Sequence, residues 1–362
     1  MRYTFKVIWI TLLLTALACC ALADDTGYAI RYPEAISSAD ATGKPTILYT
    51  GRAKISMRMR SQPDVNSDAV GSLKERELMQ IFGFDQYWLY CWDDARGVYY
   101  VGRHNAVEIE PVSQSVEPYG VVRNAFVAVT SRQTALRQAP NANAEEITTY
   151  PANTRLSFWL IEDGWAVVPY RRQVGYMYLG DMAELTPVAP NVDYAQDGDI
   201  IAAFTTFYSV AQTELNIGRM ENIRLGCLYI GQTYQPGEQV SFNKTAGPYN
   251  RARGYMPSPV LIDGGTVAGY GGGTCQVSTT LYNVLLQLPD GMTIVYRRPH
   301  GPGGASYAPH GVDAAVGNNT LNLVFQNDYD FPITIDCTAQ NGSLCICIRK
   351  GVVEVAQADA DG

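Results

Sequence analysis

A stretch near residue 60 returns 77 residues later. Met59-Arg60-Ser61-Gln62-Pro63 is matched by Leu136-Arg137-Gln138-Ala139-Pro140, and Trp88 by Trp165, at that offset. Gly97-Val98-Tyr99-Tyr100-Val101-Gly102 is matched by Gly175-Tyr176-Met177-Tyr178-Leu179-Gly180 at 78, and the copies end near Pro111 and Pro187. Self-similarity at a fixed offset means one supersecondary unit used twice. Within each copy, short alternating runs broken by Pro, Asn, Asp and Gly predict a small barrel of about five strands.

The rest of the chain must then form at least one more unit. With 362 residues, 47% hydrophobic and 17% charged, the composition is globular and long enough for two or three cores. An excess of 35 acidic over 27 basic side chains, net charge -8, argues against a nucleic-acid partner, which needs a basic footprint. Residues 1–23 read as a signal peptide: Arg2 and Lys6, an apolar run from Val7 to Leu17, then Ala21-Leu22-Ala23 before Asp24. The expected location is secreted, or membrane-anchored if the segment is not cleaved.

Export bears on the cysteines. Removing Cys19 and Cys20 leaves Cys91, Cys227, Cys275, Cys337, Cys345 and Cys347, too sparse for a disulfide framework. Asn341-Gly342 between two alternating runs predicts a hairpin, across which Cys337 could bridge to Cys345 or Cys347. No metal site or cofactor is expected. Residues 188–199 read as a linker and 351–362 as a disordered tail.

The block over 200–350 carries the chemistry. Thr205 to Leu228 has near-helical spacing. Gly271-Gly272-Gly273-Thr274-Cys275-Gln276 runs into Val277, Leu281, Val284, Leu285 and Leu288, spaced at three or four, which predicts a turn opening a helix. Cys275 would then lie at a helix N-terminus, where free N–H groups and the macrodipole favour a thiolate and could receive an oxyanion. A phosphate loop would need Lys before a Ser or Thr, and none is present. A thiol nucleophile needs a base. His104 belongs to the first repeat, so His300 and His310 are the candidates, with Asp313 to orient the ring. The competing reading is an inert cysteine beside a packing turn.

The two repeats resemble bacterial SH3-like domains over 50–115 and 121–187, in which an Arg-x-x-Pro strand precedes a Trp strand and a Gly-aromatic strand. Met57-Arg58-Met59-Arg60 departs from the usual first motif. That resemblance implies cell-wall binding, the alternative being that the aromatics only build a core. The 200–350 block resembles the VanW family. The similarity is carried by Arg219-x-x-Asn222, Pro236-Gly237-Glu238, Ser241-Phe242-Asn243, the Gly271-to-Asn283 run, Arg297-x-x-His300, Tyr307-x-Pro309-x-Gly311-x-Asp313-Ala314, Asn327 and Pro332-Ile333. Tyr296 and Gly301 depart from the usual Glu and Ser.

The resemblances together imply a multidomain fold: two all-β SH3-like barrels, then an α+β VanW-like domain with a cysteine at a helix N-terminus. They also imply a peptidoglycan L,D-transpeptidase with Cys275 as nucleophile, His300 as base and Asp313 behind it. Gly273, Gln276, Ser278, Thr279, Arg219, Arg297 and Tyr307 are the expected substrate-binding residues, and peptidoglycan stem peptides the expected partners. The rival functions are a cysteine hydrolase and a non-enzymatic wall binder.

Overall fold

The computed structural model describes residues 35–37, 43–85, 87–113, 116, 119–262, 265–300, 305–309 and 311–351. The signal-like segment, His310 and the tail beyond Gly351 lie outside the described residues. The described part is mostly β, with several sheets and three α-helices.

In the first repeat, β1 (Ala35–Ile36) precedes β2 (Tyr49–Ala53), β3 (Met57–Arg60), β4 (Ala69–Leu73), β5 (Leu78–Phe84), β6 (Trp88–Asp93), β7 (Gly97–Gly102) and β8 (Ala106–Pro111). Their hydrogen-bonded order is β4-β3-β7-β6-β5-β2-β8, with β1 added on β5. The second repeat comprises β9 (Phe126–Thr130), β10 (Thr134–Arg137), β11 (Glu146–Tyr150), β12 (Arg155–Phe158), β13 (Leu160–Glu162), β14 (Trp165–Tyr170), β15 (Gln173–Tyr178) and β16 (Met182–Pro187). These form two sheets, β11-β10-β15-β14-β13 and β12-β9-β16. Apart from the added β1 and the split where β12 and β13 replace the single β5, each pairing in the first repeat recurs in the second. Alternating residues supply the two cores, Met59, Ile81 and Leu89 in one and Leu136, Leu156 and Met177 in the other.

Two expectations need correcting. Neither repeat forms a closed five-stranded barrel: seven or more strands are present, and the described pairing never joins the two ends of the path. Register shifts in β2–β8 and β5–β6 bend the sheet without bringing β4 onto β8. The repeat alignment also slips. Trp88 pairs with Gly102 and Trp165 with Tyr178, so the offset over the Gly-aromatic strands is 76, not 78. The cause is turn length: Asp94-Ala95-Arg96 separates paired Asp93 and Gly97, but only Arg171-Arg172 separates Tyr170 and Gln173. A slip of two keeps every side chain on its face, so alternation alone accepts either alignment.

The third block pairs β17 (Ile200–Phe207), β25 (Ser343–Lys350), β24 (Ile333–Gln340) and β18 (Thr233–Tyr234) in that order. A second sheet joins β19 (Gln239–Ser241), β23 (Leu323–Asn327) and β22 (Met292–Arg297), and β20 (Pro257–Ile262) with β21 (Gly265–Tyr270) makes a hairpin. The helices are α1 (Glu214–Ile230), α2 (Phe242–Ala246) and α3 (Thr274–Leu285). Thr205 is thus strand and not helix: Ile200–Phe207 is buried at all eight positions, as a strand covered on both faces must be. Helix α3 packs on one of those faces. The second repeat covers the other, with Val127 meeting Ile200 and Ala203 and the Arg155–Asp336 ion pair at 2.8 Å. The segment 188–199 is held to both neighbours by Val188 N–H to Ala125 O and Ala189 N–H to Ile200 O, at 2.8 Å each.

Asn341 and Gly342, at φ 55° and 83°, turn β24 into β25, as the dipeptide predicts. The expected bridge across this hairpin is excluded by parity. Cys337 lies opposite Ile346, so Cys345 and Cys347 face the other side of the sheet. All six described cysteines are free thiols. No helix among the described residues is long and apolar enough to cross a membrane.

Candidate active site

Cys275 is the second residue of α3, behind Gly273 at φ 110°. All three preceding glycines are dictated by packing. A Cβ on Gly272 would lie 2.2 Å from Pro259 O, one on Gly273 2.9 Å from Arg219 O, and one on Gly271 2.7 Å from the Tyr249 side chain. The glycines therefore seat the turn against α1 and β20, and do not serve to open an approach to the sulfur. Asn222, fully buried on α1, fixes that seat by donating to Gly272 O at 3.1 Å and Ser258 Oγ at 2.9 Å. In the first turn, Thr274 and Gln276 N–H return to Gly271 and Gly273 carbonyls at 3.1 and 2.9 Å. The Cys275 N–H closes no such bond among the described residues.

Cys275 is half-buried. It donates to Val316 O at 3.3 Å and accepts from Val316 N–H at 3.4 Å. His300 lies close enough that the sulfur helps raise the imidazole above its ordinary value. The imidazole Nδ1 lies 2.6 Å from Asp313 Oδ2, which also accepts the His300 backbone N–H at 2.6 Å. With Nδ1 committed to the carboxylate, the other ring nitrogen is the one left for the sulfur. Asp313 is 3% exposed. Burial works against its charge, but the hydrogen bond from His300 and the Arg297 guanidinium hold it below its ordinary value. Burial likewise disfavours the His300 cation, yet the bonds to Asp313 and Cys275 prevail and raise it to about 10. Cys275, His300 and Asp313 thus stand in one line.

The other expected residues divide by what they touch. Arg297 spends Nε on Asp313 O and Nη2 on Gly311 O, both at 2.7 Å, so it braces the acid's loop. Gln276 is 1% exposed, accepts from Arg219 Nη2 at 2.7 Å and donates to Thr206 Oγ1 and Phe207 O. Ser278 and Thr279, fully buried, bond Ala314 O at 2.6 and 3.3 Å. These three lock α3 to β17 and to the loop at Ala314, and spend their polar groups inside the domain. Burial lowers Arg219 from its ordinary value, with Tyr307 and Cys275 nearby opposing that shift.

Five participants were missed from the sequence. Tyr249 flanks Gly271 and the sulfur, its hydroxyl donating to Asn243 Oδ1 at 2.7 Å. Val316 contacts the sulfur through backbone alone, which leaves no signature in sequence. Both repeats also reach the acid's loop. Lys54 feels the charges of Asp313 and Arg297, Tyr119 lies against Gly311, and Arg172 donates to Ala305 O at 3.0 Å.

Comparison with known proteins bears on this block. Residues 218–349 match the family described as "VanW like protein". The chain is also 32% identical over 183 residues to the uncharacterized protein YoaR of Bacillus subtilis (strain 168), a match spanning 49% of this chain and 59% of YoaR's length. Among solved structures, NlpC2 and NlpC1 from Trichomonas vaginalis are each 12% identical with a TM-score of 0.16. They cover 84% and 87% of this chain and 97% and 95% of their own, but so low a TM-score sets neither fold nor function. On the family match, the motifs that seat Cys275 and the homology to YoaR, residues 218–349 are a VanW-like domain.

Proposed function

We propose that this chain is an exported, wall-associated peptidoglycan-modifying enzyme, an L,D-transpeptidase working through a Cys275 thioester. The observation that supports it is the line Cys275–His300–Asp313 at the start of α3. His300 already holds the Cys275 proton as an imidazolium paired with the thiolate, and the sulfur attacks the carbonyl joining the third stem residue to the terminal D-Ala. The Cys275 N–H is placed to stabilise the oxyanion. The C–N bond breaks, His300 returns the proton to the departing D-Ala amine, and a thioester remains. An amine on a neighbouring third residue attacks it, forming the 3-3 cross-link and releasing the thiol. Asp313 holds the ring and its charge throughout. No cofactor or metal has a step in this scheme.

The test is mass analysis of tetrapeptide muropeptides incubated with the purified chain. Dimers short of one D-Ala are expected. Trimmed monomers would reassign the thioester to water and make the enzyme a hydrolase. No change with an intact Cys275 would leave a wall-binding protein.

A further inference from the structure

His300, Asp313 and the Val316 backbone all belong to one connection, which leaves β22 after Arg297 and reaches β23 at Leu323. Its described residues form no helix and one isolated bridge, Asn318 with Leu321. Connections of this length without regular structure are usually functional, and they hold one conformation only where other segments tie them down. On its inner side the connection is tied to its own domain. Ala315 N–H reaches Arg298 O at 2.7 Å, and Ala314 N–H reaches Thr279 Oγ1 at 3.0 Å.

The outer side is tied by the repeats. Arg172 donates from Nη2 to Ala305 O at 3.0 Å and from Nε to Ala308 O at 3.4 Å. Gly311, at φ 82°, lies so close to Tyr119 that an added Cβ would sit 3.1 Å from its ring. Tyr119 is itself fixed, bonded by Arg103 and packed edge-on against Tyr49 and Phe84. Lys54 adds a positive charge facing Asp313, beside Arg297 and Arg172.

The two copies use the same turn differently. In the first repeat the turn between β6 and β7 is bound within its own unit, Asp94 to Lys44 at 2.7 Å and Arg96 to Glu77 at 3.8 Å. In the second, the shorter Arg171-Arg172 turn between β14 and β15 sends Arg172 out to the connection that carries the acid. A guanidinium suits that task, since its planar fork can hold two carbonyls at once.

We propose that Arg172 is a positioning residue for Cys275: by gripping the carbonyls of Ala305 and Ala308, with Tyr119 seated at Gly311, it keeps Asp313 on the His300 ring. The proposal rests on the Cys275–His300–Asp313 reading and deepens it, because it makes the repeats part of the framework of the site.

The experiment compares Arg172→Ala, Arg172→Lys and Arg123→Ala in the full chain. Arg123 also crosses to the third block, but it donates to Gln287 O at 2.6 Å, beyond the far end of α3, and so controls for loss of an interface bond. Arg172→Ala should slow iodoacetamide labelling of Cys275 at pH 7 about tenfold. Proton NMR should find its His300 titration moved from about 10 toward the ordinary 6.5. Muropeptide turnover should lose about 10²-fold in kcat at little change in KM. Arg172→Lys, which keeps a donor for one carbonyl, should recover most of each loss, and Arg123→Ala should match the unmutated chain in all three. Wild-type labelling with an unmoved His300 titration in Arg172→Ala would overturn the proposal, as would equal losses in Arg123→Ala. Should the unmutated chain leave muropeptides intact, the transpeptidase reading falls, while the labelling and NMR results still decide the role of Arg172.

Discussion

Cys275 and Cys91 are both single thiols set in well-packed units, and their surroundings could hardly differ more. Cys91 is fully buried in the first repeat, opposite Tyr99 across the sheet, and burial pushes its thiol far up. Cys275 is half-buried at a helix start, with an imidazole beside it and a buried carboxylate bonded to that imidazole. The contrast shows that an apolar neighbourhood does not decide a cysteine's chemistry. What decides it is whether a base, an orienting acid and solvent reach the sulfur together.

The sharpest way to break this contrast is Cys275→Ala. Muropeptide turnover should fall by at least about 10³-fold in a discontinuous mass assay. In the unmutated chain, iodoacetamide should label Cys275 under native conditions while Cys91 stays protected until denaturant is added, as peptide mapping would show. Labelling of both thiols at one rate would erase the distinction.

Next in size is Asp313→Asn, which keeps the shape but removes the charge that orients His300. Turnover should drop by about 10²–10⁴-fold. The same change tests the electrostatics. Proton NMR should find His300 titrating near 10 in the wild type and well below that in Asp313→Asn, since the first cause of its rise is the Asp313 bond. The folded value lies above the ordinary 6.5, so this histidine's contribution to stability is complete below 6.5 and lost as pH climbs through about 10. The Asp313 contribution runs the other way, present above 3.8 and lost as pH falls through its depressed value. An unaltered His300 titration in the variant would mean the two groups are not coupled.

The smallest expected effect is that of Ser278→Ala. Ser278 is buried and bonds Ala314 O, so its loss should cost about 1–2 kcal/mol in denaturant unfolding while KM stays near its wild-type value. A large rise in KM with unchanged stability would return Ser278 to the substrate pocket.

Much of the site was legible because local rules wrote it. A glycine run before apolar residues at three and four could only be a turn opening a helix, and it placed Cys275 at that helix start. Asn341-Gly342 gave a hairpin because both positions need positive φ, which those residues tolerate. His300 and Asp313 were legible as a pair of residue types, whereas Arg297, Gln276, Ser278 and Thr279 were read as ligand contacts and are internal ties. Side-chain chemistry names what a residue can bond. Whether that bond goes inward or outward depends on what packs against it, and the sequence does not record that.

The repeat gives the same lesson at larger scale. Alternation and turn residues determined that two related β units precede a third, and the motif residues determined where its chemistry lies. Tertiary structure alone decided that the units are open sheets and that one turn is a residue shorter. It also brought Lys54, Tyr119 and Arg172 to the loop of Asp313 from far along the chain. Local patterns have periods of two or four residues and survive in any register, whereas contacts between distant segments exist only once the register is chosen and the cores are packed.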